Sequence, residues 1–348
     1  MMKKIISVIL AAVMLVLFCS CGSTSNNNNN SNDTGSGDNS GVIKAESNDS
    51  LRFVTGGESG TYYAFGSVIA QHATNNIGIN VTGIVGNGSK ANVEALQAFD
   101  AELAFCQSDV MAYAYTGTNL FEEPIDCFNT VAALYTEQVQ IVTLNKDIKT
   151  VADLEGKKVS VGAAGSGVYF NAVDILSAYG IGDRDAEGKF TKIDATYQSF
   201  GDSADALKDG KIDAAFIVAG APTTAVTDLS TTKDVYLVSL DKEHIASLIE
   251  KSPYYTECVI AKDVYNTEED IETVGVGAVI LVREDVSDDA VYKLTKDIFD
   301  NYEDLVDSHA KYGELSFEYA TSITSVPYHA GAAKYFEEKG FTVSSVAK

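Results

Sequence analysis

Glycine, serine and threonine crowd a short turn between an apolar run and a helical pattern in residues 53–73, FVTGGESGTYYAFGSVIAQHA. A strand followed by such a turn and a helix is a common way to hold an anion. The turn and the helix N-terminus present backbone N–H groups without partners, and the helix dipole favours negative charge there. The types and spacing of these residues therefore indicate an anion site.

Four more polar turns follow apolar runs along the chain. They are VGNGSKAN at 85–92, FCQSD at 105–109, GAAGSG at 162–167 and AGAP at 219–222. One such turn needs no function, because glycine readily takes the positive φ that often precedes a helix. Five turns at the carboxyl ends of predicted strands occupy the usual position of a ligand cleft in an α/β sheet. We predict a cleft walled by hydroxyl groups and helix N-termini.

Charged and aromatic side chains beside these turns narrow the choice of ligand. Lys90 is the only cation inside the five turns, and it either pairs with a ligand carboxylate or points to solvent. Tyrosine, with an apolar ring and a hydroxyl group, suits a ligand that has a short carbon chain and polar ends. The aromatic candidates are Tyr62, Tyr63, Tyr135, Tyr169 and Phe216. A small organic anion or an amino acid fits this description.

No catalytic or metal-binding pattern accompanies the turns. The turn GGESGTYY lacks the lysine of a P-loop and carries Glu58 inside it, and the dinucleotide fingerprint G-x-G-x-x-G is absent. Cys106 ends a predicted strand beside Ser108 and Asp109, where a small apolar residue is the better explanation than a nucleophile. The histidines are scattered, and no pair has metal-ligand spacing. We therefore predict a binding protein that is not an enzyme and has no cofactor or metal.

The elements that must position the turns alternate between short apolar strands and amphipathic helices, which is typical of an α/β fold with mainly parallel sheets. The sequence also echoes itself, because SGTYY at 59–63 and SGVYF at 166–170 each follow an apolar strand. Farther along, EALQAFDAELAF at 94–105 is similar to DALKDGKIDAAF at 205–216. Two lobes built on one plan would explain the echo, and chance similarity is the alternative.

The echo predicts how the folded body is divided, and the body is long enough for two lobes. We expect residues 51–143 and 256–348 to form the first lobe and residues 144–255 to form the second. The chain would cross between them at 143–144 and 253–256. The ligand would lie in the cleft between the lobes.

The N-terminus has the features of an exported, lipid-anchored protein. Two lysines precede an uncharged apolar run at 5–18, which is too short for a stable membrane span but typical of a signal peptide. Ser20 before Cys21 resembles a bacterial lipobox. We predict a signal peptide at 1–20 and lipidation of Cys21, with an ordinary cleaved signal peptide as the alternative. Residues 21–50 are rich in Asn, Ser and Gly, and they predict a disordered tether.

The net charge argues against nucleic acid and anionic lipid as partners, and the number of cysteines argues against a disulfide-rich fold. The chain has 25 Lys and Arg against 49 Asp and Glu, a formal net charge of −24. This charge argues against nucleic acid and anionic lipid surfaces as partners, so we expect membrane contact only through the lipid anchor. Cys106, Cys127 and Cys258 form no disulfide framework, and one bridge plus one free thiol stays open.

The ordered set of motifs resembles the TAXI family, the solute-binding subunits of one class of tripartite ATP-independent periplasmic (TRAP) transporters. The matching stretches are FVTGGESGTYYAFGSVIA, GNGSKANVEAL, ELAFCQSDVMAYAYTG, TVADLEGKKVSVGAAGSGVYFNAVDIL, DAAFIVAGAPTTAVTDL and TSVPYHAGAAKYFEEKG, within residues 52–340. The resemblance implies a two-lobe type II periplasmic-binding fold that closes over a small organic anion or amino acid, such as glutamate or another dicarboxylate. It also implies a TRAP membrane permease as partner, at the outer face of the bacterial cell membrane.

The resemblance further implies which residues bind the ligand, and the turns and aromatic residues described above add Lys90 and Tyr135. The chain departs from the family at Glu58, where a small or polar residue is usual, and at Lys90, where an apolar residue is common. A ligand amine could meet Glu58, and a second ligand carboxylate could meet Lys90. The residues that match the family's binding positions are Gly57, Thr61, Tyr62, Asn87, Ser89, Gln107, Ser108, Ser166, Gly167 and Pro222.

Other functions stay open at the level of sequence. A binding protein for an ATP-driven importer, a sensor, and a surface antigen or adhesin would share the signal, the tether and the fold. An enzyme of the same fold that polymerises porphobilinogen is a poor alternative. It needs arginine clusters, and this chain has only Arg52, Arg184 and Arg283.

Overall fold

The computed structural model describes residues 50–346. The predicted signal peptide at 1–20, the predicted lipidation site Cys21 and all but the last residue of the predicted tether at 21–50 lie outside the described residues. Within residues 50–346, no helix combines the length and the apolar character needed to cross a membrane.

Strands and helices alternate along most of the described chain. The strands are β1 Ser50–Val54, β2 Asn80–Ile84, β3 Leu103–Gln107, β4 Phe128–Thr143, β5 Lys158–Ser160, β6 Asp194–Thr196, β7 Ala214–Ala219, β8 Tyr236–Leu237, β9 Thr256–Ile260 and β10 Ile271–Arg283.

The helices lie mostly between consecutive strands. They are α1 Thr61–Asn76, α2 Ser89–Gln97, α3 Ser108–Thr116, α4 Gly167–Ala178, α5 Phe200–Lys208, α6 Thr224–Ser230, α7 Lys242–Lys251, α8 Asp288–Asp300, α9 Tyr302–Leu305, α10 Phe317–Ala320 and α11 Ala330–Glu338. Short 3-10 helices span Val151–Leu154, Lys262–Val264 and Ala310–Glu314.

One sheet in the order β2-β1-β3-β10-β4-β7-β5-β6 runs through the described chain, with β8 added beside β4 and β9 beside β10. At one end, β1 pairs in parallel with β2 and β3. At the other end, β5 pairs in parallel with β6 and β7. The two parallel sets are the counterparts of the repeated sequence pattern, and their carboxyl ends carry the polar turns.

Two long strands join the parallel sets. β4 has 16 residues and β10 has 13. They pair with each other in antiparallel fashion from Gly275 opposite Gln138 to Arg283 opposite Phe128. β10 also pairs with β3, and the far end of β4 pairs with β7. The ladder between β4 and β10 shifts register at two places, and such bulges bend and twist a strand pair.

The buried apolar side chains form four clusters, which follow the two parallel sets. Two clusters draw mainly on the beginning and end of the chain, with Phe65 and Phe336 as examples. The other two draw mainly on its middle, with Phe216 as an example. We propose two lobes divided along β4 and β10. The predicted boundary between residues 255 and 256 would place β9 in the first lobe, whereas Ile260 of β9 packs with a middle cluster, so we propose that β9 belongs to the second lobe. The boundary at 143–144 stays a prediction.

Helix α8 shows how local sequence fixes an element of the first lobe. The Ser287 hydroxyl accepts a hydrogen bond from the Ala290 N–H at 3.3 Å and caps the helix N-terminus. Val291, Leu294 and Ile298 recur at the spacing that places apolar side chains on one helix face, and all three are buried. The same face packs against α1 and α11, which fixes α1 and the polar turn before it.

Candidate functional site

A cavity of about 480 Å³ lies at the carboxyl ends of the parallel strands. Its walls are the turns after β1, β2, β5 and β6, the start of α5, the ends of β3 and β7 and one side chain from the middle of β4. Because both parallel sets contribute turns, the cavity lies between the two sets, where the sequence predicts a cleft.

Eight of the residues predicted to bind ligand line this cavity together. They come from four of the predicted turns, and the serine, threonine and glutamine side chains among them are buried. The eight are Gly57, Thr61, Tyr62, Asn87, Ser89, Gln107, Ser166 and Gly167.

The other four predicted residues, Lys90, Ser108, Tyr135 and Pro222, do not line the cavity. The Ser108 hydroxyl oxygen accepts a hydrogen bond from the Gly277 N–H at 2.9 Å and ties α3 to β10. Tyr135 is buried, with the Lys311 ammonium 5.3 Å from its ring centroid. Pro222 is exposed after β7.

Lys90 is turned away from the cavity although its neighbour Ser89 lines it. The Lys90 ammonium forms an ion pair with Glu94, one turn farther along α2, and lies 5.2 Å from the centroid of the Phe121 ring. One residue step on a helix rotates the side chain by about 100°, so Ser89 and Lys90 face different ways. Both neighbours hold the Lys90 side chain on the outer face of α2.

Substitution of Lys90 tests this arrangement. We expect Lys90→Ala to change ligand affinity less than about twofold, because an exposed i,i+4 ion pair contributes only about 0.3–0.5 kcal/mol to stability and the ammonium does not reach the cavity. The measurement is calorimetric titration of the variant and the wild type with the same ligand. A tenfold loss of affinity would place Lys90 on the ligand.

Three helices begin at the cavity without a side-chain cap. The residues before α1, α2 and α4 are Gly60, Gly88 and Ser166, and none accepts a hydrogen bond through its side chain from its own helix. By contrast, Ser199 and Ser287 cap α5 and α8. Uncapped N-termini leave N–H groups and the positive end of the helix dipole for another acceptor. A carboxylate is suited to this position.

Buried polar atoms without hydrogen-bond partners are concentrated in the cavity. Among the described residues, six buried side-chain oxygen atoms have no hydrogen-bond partner, and three of these belong to cavity residues. The three are the Tyr62 hydroxyl, Gln107 Oε1 and Ser166 Oγ. Leaving a buried polar group unpaired costs about 1–3 kcal/mol, so a concentration of such atoms in one cavity is expected where a ligand supplies the partners.

The hydrogen bonds of Gln107 fix which way its amide points. Its Nε2 donates to Glu137 Oε2 at 3.2 Å and to Asn171 Oδ1 at 3.1 Å. Since Asn171 Oδ1 can only accept, the amide cannot be reversed, and Oε1 is the atom left unpaired. A Cβ atom on Gly167 would lie 1.6 Å from that oxygen, so only glycine fits there.

Sequence reasoning missed the cavity wall at residues 198–205 and also Glu137, the buried charged residue of the cavity. Glu137 lies in the middle of β4 with 2% of its surface exposed, and it lines the cavity. Burial is the largest influence on its carboxyl group and raises its pKa to about 8. The signal was present, because Glu137 is the only charged residue within β4, FNTVAALYTEQVQIVT. A single glutamate in a buried strand that is otherwise uncharged indicates a functional position, because burying a charge is costly unless it is paired.

The rim of the cavity is acidic. Glu58, Asp202 and Asp205 line it with exposed side chains, and no described lining residue is Lys, Arg or His. A ligand anion would therefore be stabilised by the positive ends of the helix dipoles rather than by a cationic side chain. A ligand cation would be stabilised by the carboxyl groups.

Direct hydrogen bonds join the two walls of the cavity. The Thr61 hydroxyl donates to the Gly220 carbonyl oxygen at 2.9 Å, and the Ala91 N–H donates to the Gly165 carbonyl oxygen at 2.9 Å. Each bond connects a turn of the first parallel set to a turn of the second. The described conformation is thus one in which the turns meet over the cavity.

Three solved structures of other proteins are similar to this chain at low sequence identity. A solved structure described as a periplasmic transporter is 14% identical over 83% of this chain and 92% of that chain, with a TM-score of 0.51. The periplasmic aliphatic sulphonate binding protein SsuA from Escherichia coli is 17% identical over 83% of this chain and 90% of that chain, with a TM-score of 0.43. The GluR0 ligand-binding core from Nostoc punctiforme, solved with L-glutamate, is 16% identical over 77% of this chain and 98% of that chain, with a TM-score of 0.45.

The first of these likenesses shows the fold, and the predicted α/β fold of the periplasmic-binding-protein type is confirmed. Such a likeness at low identity says nothing of the ligand. A model of the NMT1-like family matches residues 53–340, and the protein belongs to that family.

Proposed function

We propose that this protein is an extracytoplasmic solute-binding lipoprotein that captures a small carboxylate-bearing solute and delivers it to a TRAP transporter permease. The solute is an amino acid or a small organic anion of the glutamate or dicarboxylate kind. One observation carries the proposal: uncapped helix N-termini and three buried, unpaired oxygen atoms converge on one cavity. A carboxylate fits the helix ends, and polar atoms elsewhere on the solute fit the unpaired oxygens.

The chemistry of the described residues supports binding rather than catalysis. Cys106, the best-placed nucleophile in the sequence, is fully buried, and burial raises the pKa of its thiol well above the usual range. A protonated, inaccessible thiol is a poor nucleophile. Cys127 and Cys258 are free thiols as well and do not line the cavity.

The permease partner and the lipid anchor rest on sequence. The ordered motifs resemble the TAXI family of TRAP transporters, and Cys21 follows an apolar run and Ser20 in the manner of a lipobox. Uptake of the identified solute by cells or vesicles that contain a TRAP permease, with and without this protein, tests the partnership. Uptake that depends on ATP hydrolysis by a different importer would contradict it.

A thermal unfolding screen tests the binding function directly. We expect one carboxylate-bearing solute at about 100 times its dissociation constant to raise the free energy of unfolding by roughly 2.7 kcal/mol, because it binds only the folded state. The panel contains glutamate, glutamine, leucine, 2-oxoglutarate, succinate and malate, with sodium chloride as an ionic-strength control. A flat response to every carboxylate would count against a capture function and favour a surface-interaction role.

A further inference from the structure

We call Gln107, Glu137 and Tyr62 the floor of the cavity. The unpaired oxygen of Gln107 in this floor needs a hydrogen-bond donor from the ligand, which distinguishes among carboxylate ligands. We propose that Glu137, Gln107 and Tyr62 form the site for a protonated amine, so that the ligand is a zwitterion such as an α-amino acid and not a dicarboxylate. This inference rests on the proposed function and names the ligand class of the same cavity. It makes Glu137 the residue that determines specificity.

Hydrogen-bond direction is the first argument. Gln107 Oε1 accepts only, and both protons of its Nε2 are already given to Glu137 and Asn171. Asn171 cannot release Gln107, because its own Nδ2 donates to Asp109 Oδ2 and to the Tyr255 hydroxyl, each at 2.9 Å. The amides of Asn171 and Gln107 are therefore both fixed in orientation, and Gln107 Oε1 is left at the cavity as an unpaired acceptor. The ligand must bring an N–H or O–H donor to it.

Charge is the second argument. An ammonium group carries three N–H donors and one positive charge, whereas a hydroxyl group brings one donor and a second carboxylate brings none. The floor offers the Gln107 oxygen, the Glu137 carboxyl group and the Tyr62 hydroxyl. A second ligand carboxylate would find no cation among the described lining residues and would face Glu58, Asp202 and Asp205 at the rim. The cavity thus favours a positive group at its floor and a carboxylate at its helix N-termini.

The Tyr62 hydroxyl is held at the floor by packing rather than by hydrogen bonds. Its ring stacks on Phe105 with centroids 4.5 Å apart and planes within 7°. The hydroxyl has no hydrogen bond of normal geometry with a described residue, although Tyr62 and Glu137 are close enough to shift each other's pKa. A ligand ammonium between them would satisfy the hydroxyl.

Binding of a ligand ammonium group is expected to deprotonate Glu137. Without ligand, burial keeps the Glu137 carboxyl group protonated at neutral pH, with a pKa of about 8. The groups that act on it from the surrounding elements are Tyr62, Gln107, Asp109 and Lys311, and Lys311 is the only cation among them. A ligand cation stabilises the ionised form and expels the proton. Binding therefore releases a proton and strengthens as the pH rises from 6 to 8.

Matched ligand pairs give the decisive experiment. Calorimetric titration first screens the twenty amino acids. It then compares L-alanine with L-lactate, L-leucine with its 2-hydroxy analogue and L-glutamate with 2-hydroxyglutarate, with succinate as a dicarboxylate. We expect the amino acid of the binding pair to bind at least tenfold more tightly than its hydroxy analogue. Titration at pH 7 in two buffers of different ionisation enthalpy should show close to one proton released per ligand.

Two variants separate the effect of the floor on ligand binding from its effect on the stability of the protein. Glu137→Gln should lose the proton release and at least tenfold in affinity for the amino acid. Tyr62→Phe should also weaken binding but keep the fold, because the phenylalanine ring can keep the stacking on Phe105. The exposed Glu187→Gln is the control and should behave as wild type.

The outcomes distinguish this inference from the proposed function. Equal or tighter binding of the hydroxy acids or of succinate overturns the amine site and leaves a capture function standing. Binding of amino acids without proton release, or with full affinity in both variants, also overturns it. No binding of any of the twenty amino acids or the organic acids overturns both.

Discussion

Replacing Gly167 by alanine is expected to abolish ligand binding and to destabilise the protein. The new Cβ atom would lie 1.6 Å from Gln107 Oε1, 2.5 Å from Gln107 Cδ and 2.8 Å from Ser89 Oγ. Gln107 is pinned by its bonds to Glu137 and Asn171, so it cannot move aside without breaking them. Overpacking of this kind costs about 1–3 kcal/mol, and loss of the Gln107 amide position removes the floor of the cavity. We expect affinity to fall at least 100-fold.

Gly57→Ala provides the matched control for this experiment. Gly57 lines the same cavity, but a Cβ atom there meets nothing within 4 Å. Its melting temperature should equal that of the wild type, whereas Gly167→Ala should unfold several degrees lower in the absence of ligand. Equal melting temperatures for the two variants would show that Gln107 adapts freely and that the buried chain of hydrogen bonds is not rigid.

The stability of the ligand-free protein is expected to fall as the pH rises from 5 to 8. Burial raises the pKa of Glu137 to about 8 and that of Asp109 to about 7, from ordinary values of 4.5 and 3.8. Between the ordinary and the raised values, each group is protonated in the folded chain and ionised in the unfolded chain. The folded state then holds more protons, and stability decreases by up to about 1.4 kcal/mol per pH unit for each group.

Thermal unfolding at pH 5, 6, 7 and 8 measures this slope. Glu137→Gln should flatten it by removing one of the two groups, while the exposed Glu187→Gln should leave it unchanged. Asp241 and Asp300 act in the opposite sense, because hydrogen bonds hold the pKa of each carboxyl group at about 2. The stability that they contribute is lost only under strongly acidic conditions, so it does not mask the slope. A melting temperature that stays level or rises up to pH 8 would contradict the prediction.

Residues that line the cavity where a strand ends were predictable from sequence. Ser89 and Ser166 lie in turns whose glycines announce the break between strand and helix, and such turns meet at one edge of a parallel sheet. Lys90 was nominated for its charge alone. Its direction depends on the phase of α2 and on Glu94, which a turn motif does not encode.

Residues that reach the site from inside a strand were harder to find. Tyr135 and Glu137 share a face of β4, yet only Glu137 lines the cavity, because β4 continues past the first parallel set and pairs with β7. That long strand was itself not predicted. Apolar residues of β4 are interspersed with Asn, Thr, Gln and Glu, and nearly all residues of the strand are buried, so neither its length nor its antiparallel pairing is visible in its periodicity.

The two long strands also decide when the protein can fold. One apolar cluster of the first lobe combines side chains from Leu51 to Tyr135 with side chains from Ala278 to Phe336. A chain that emerges from the ribosome N-terminus first must complete the whole intervening segment before β10 can slot between β3 and β4. Closing contacts over such a sequence separation is slow, and the early strands stay open in the meantime. The first half of this lobe therefore keeps apolar side chains and unpaired strand edges exposed until β10 has been made.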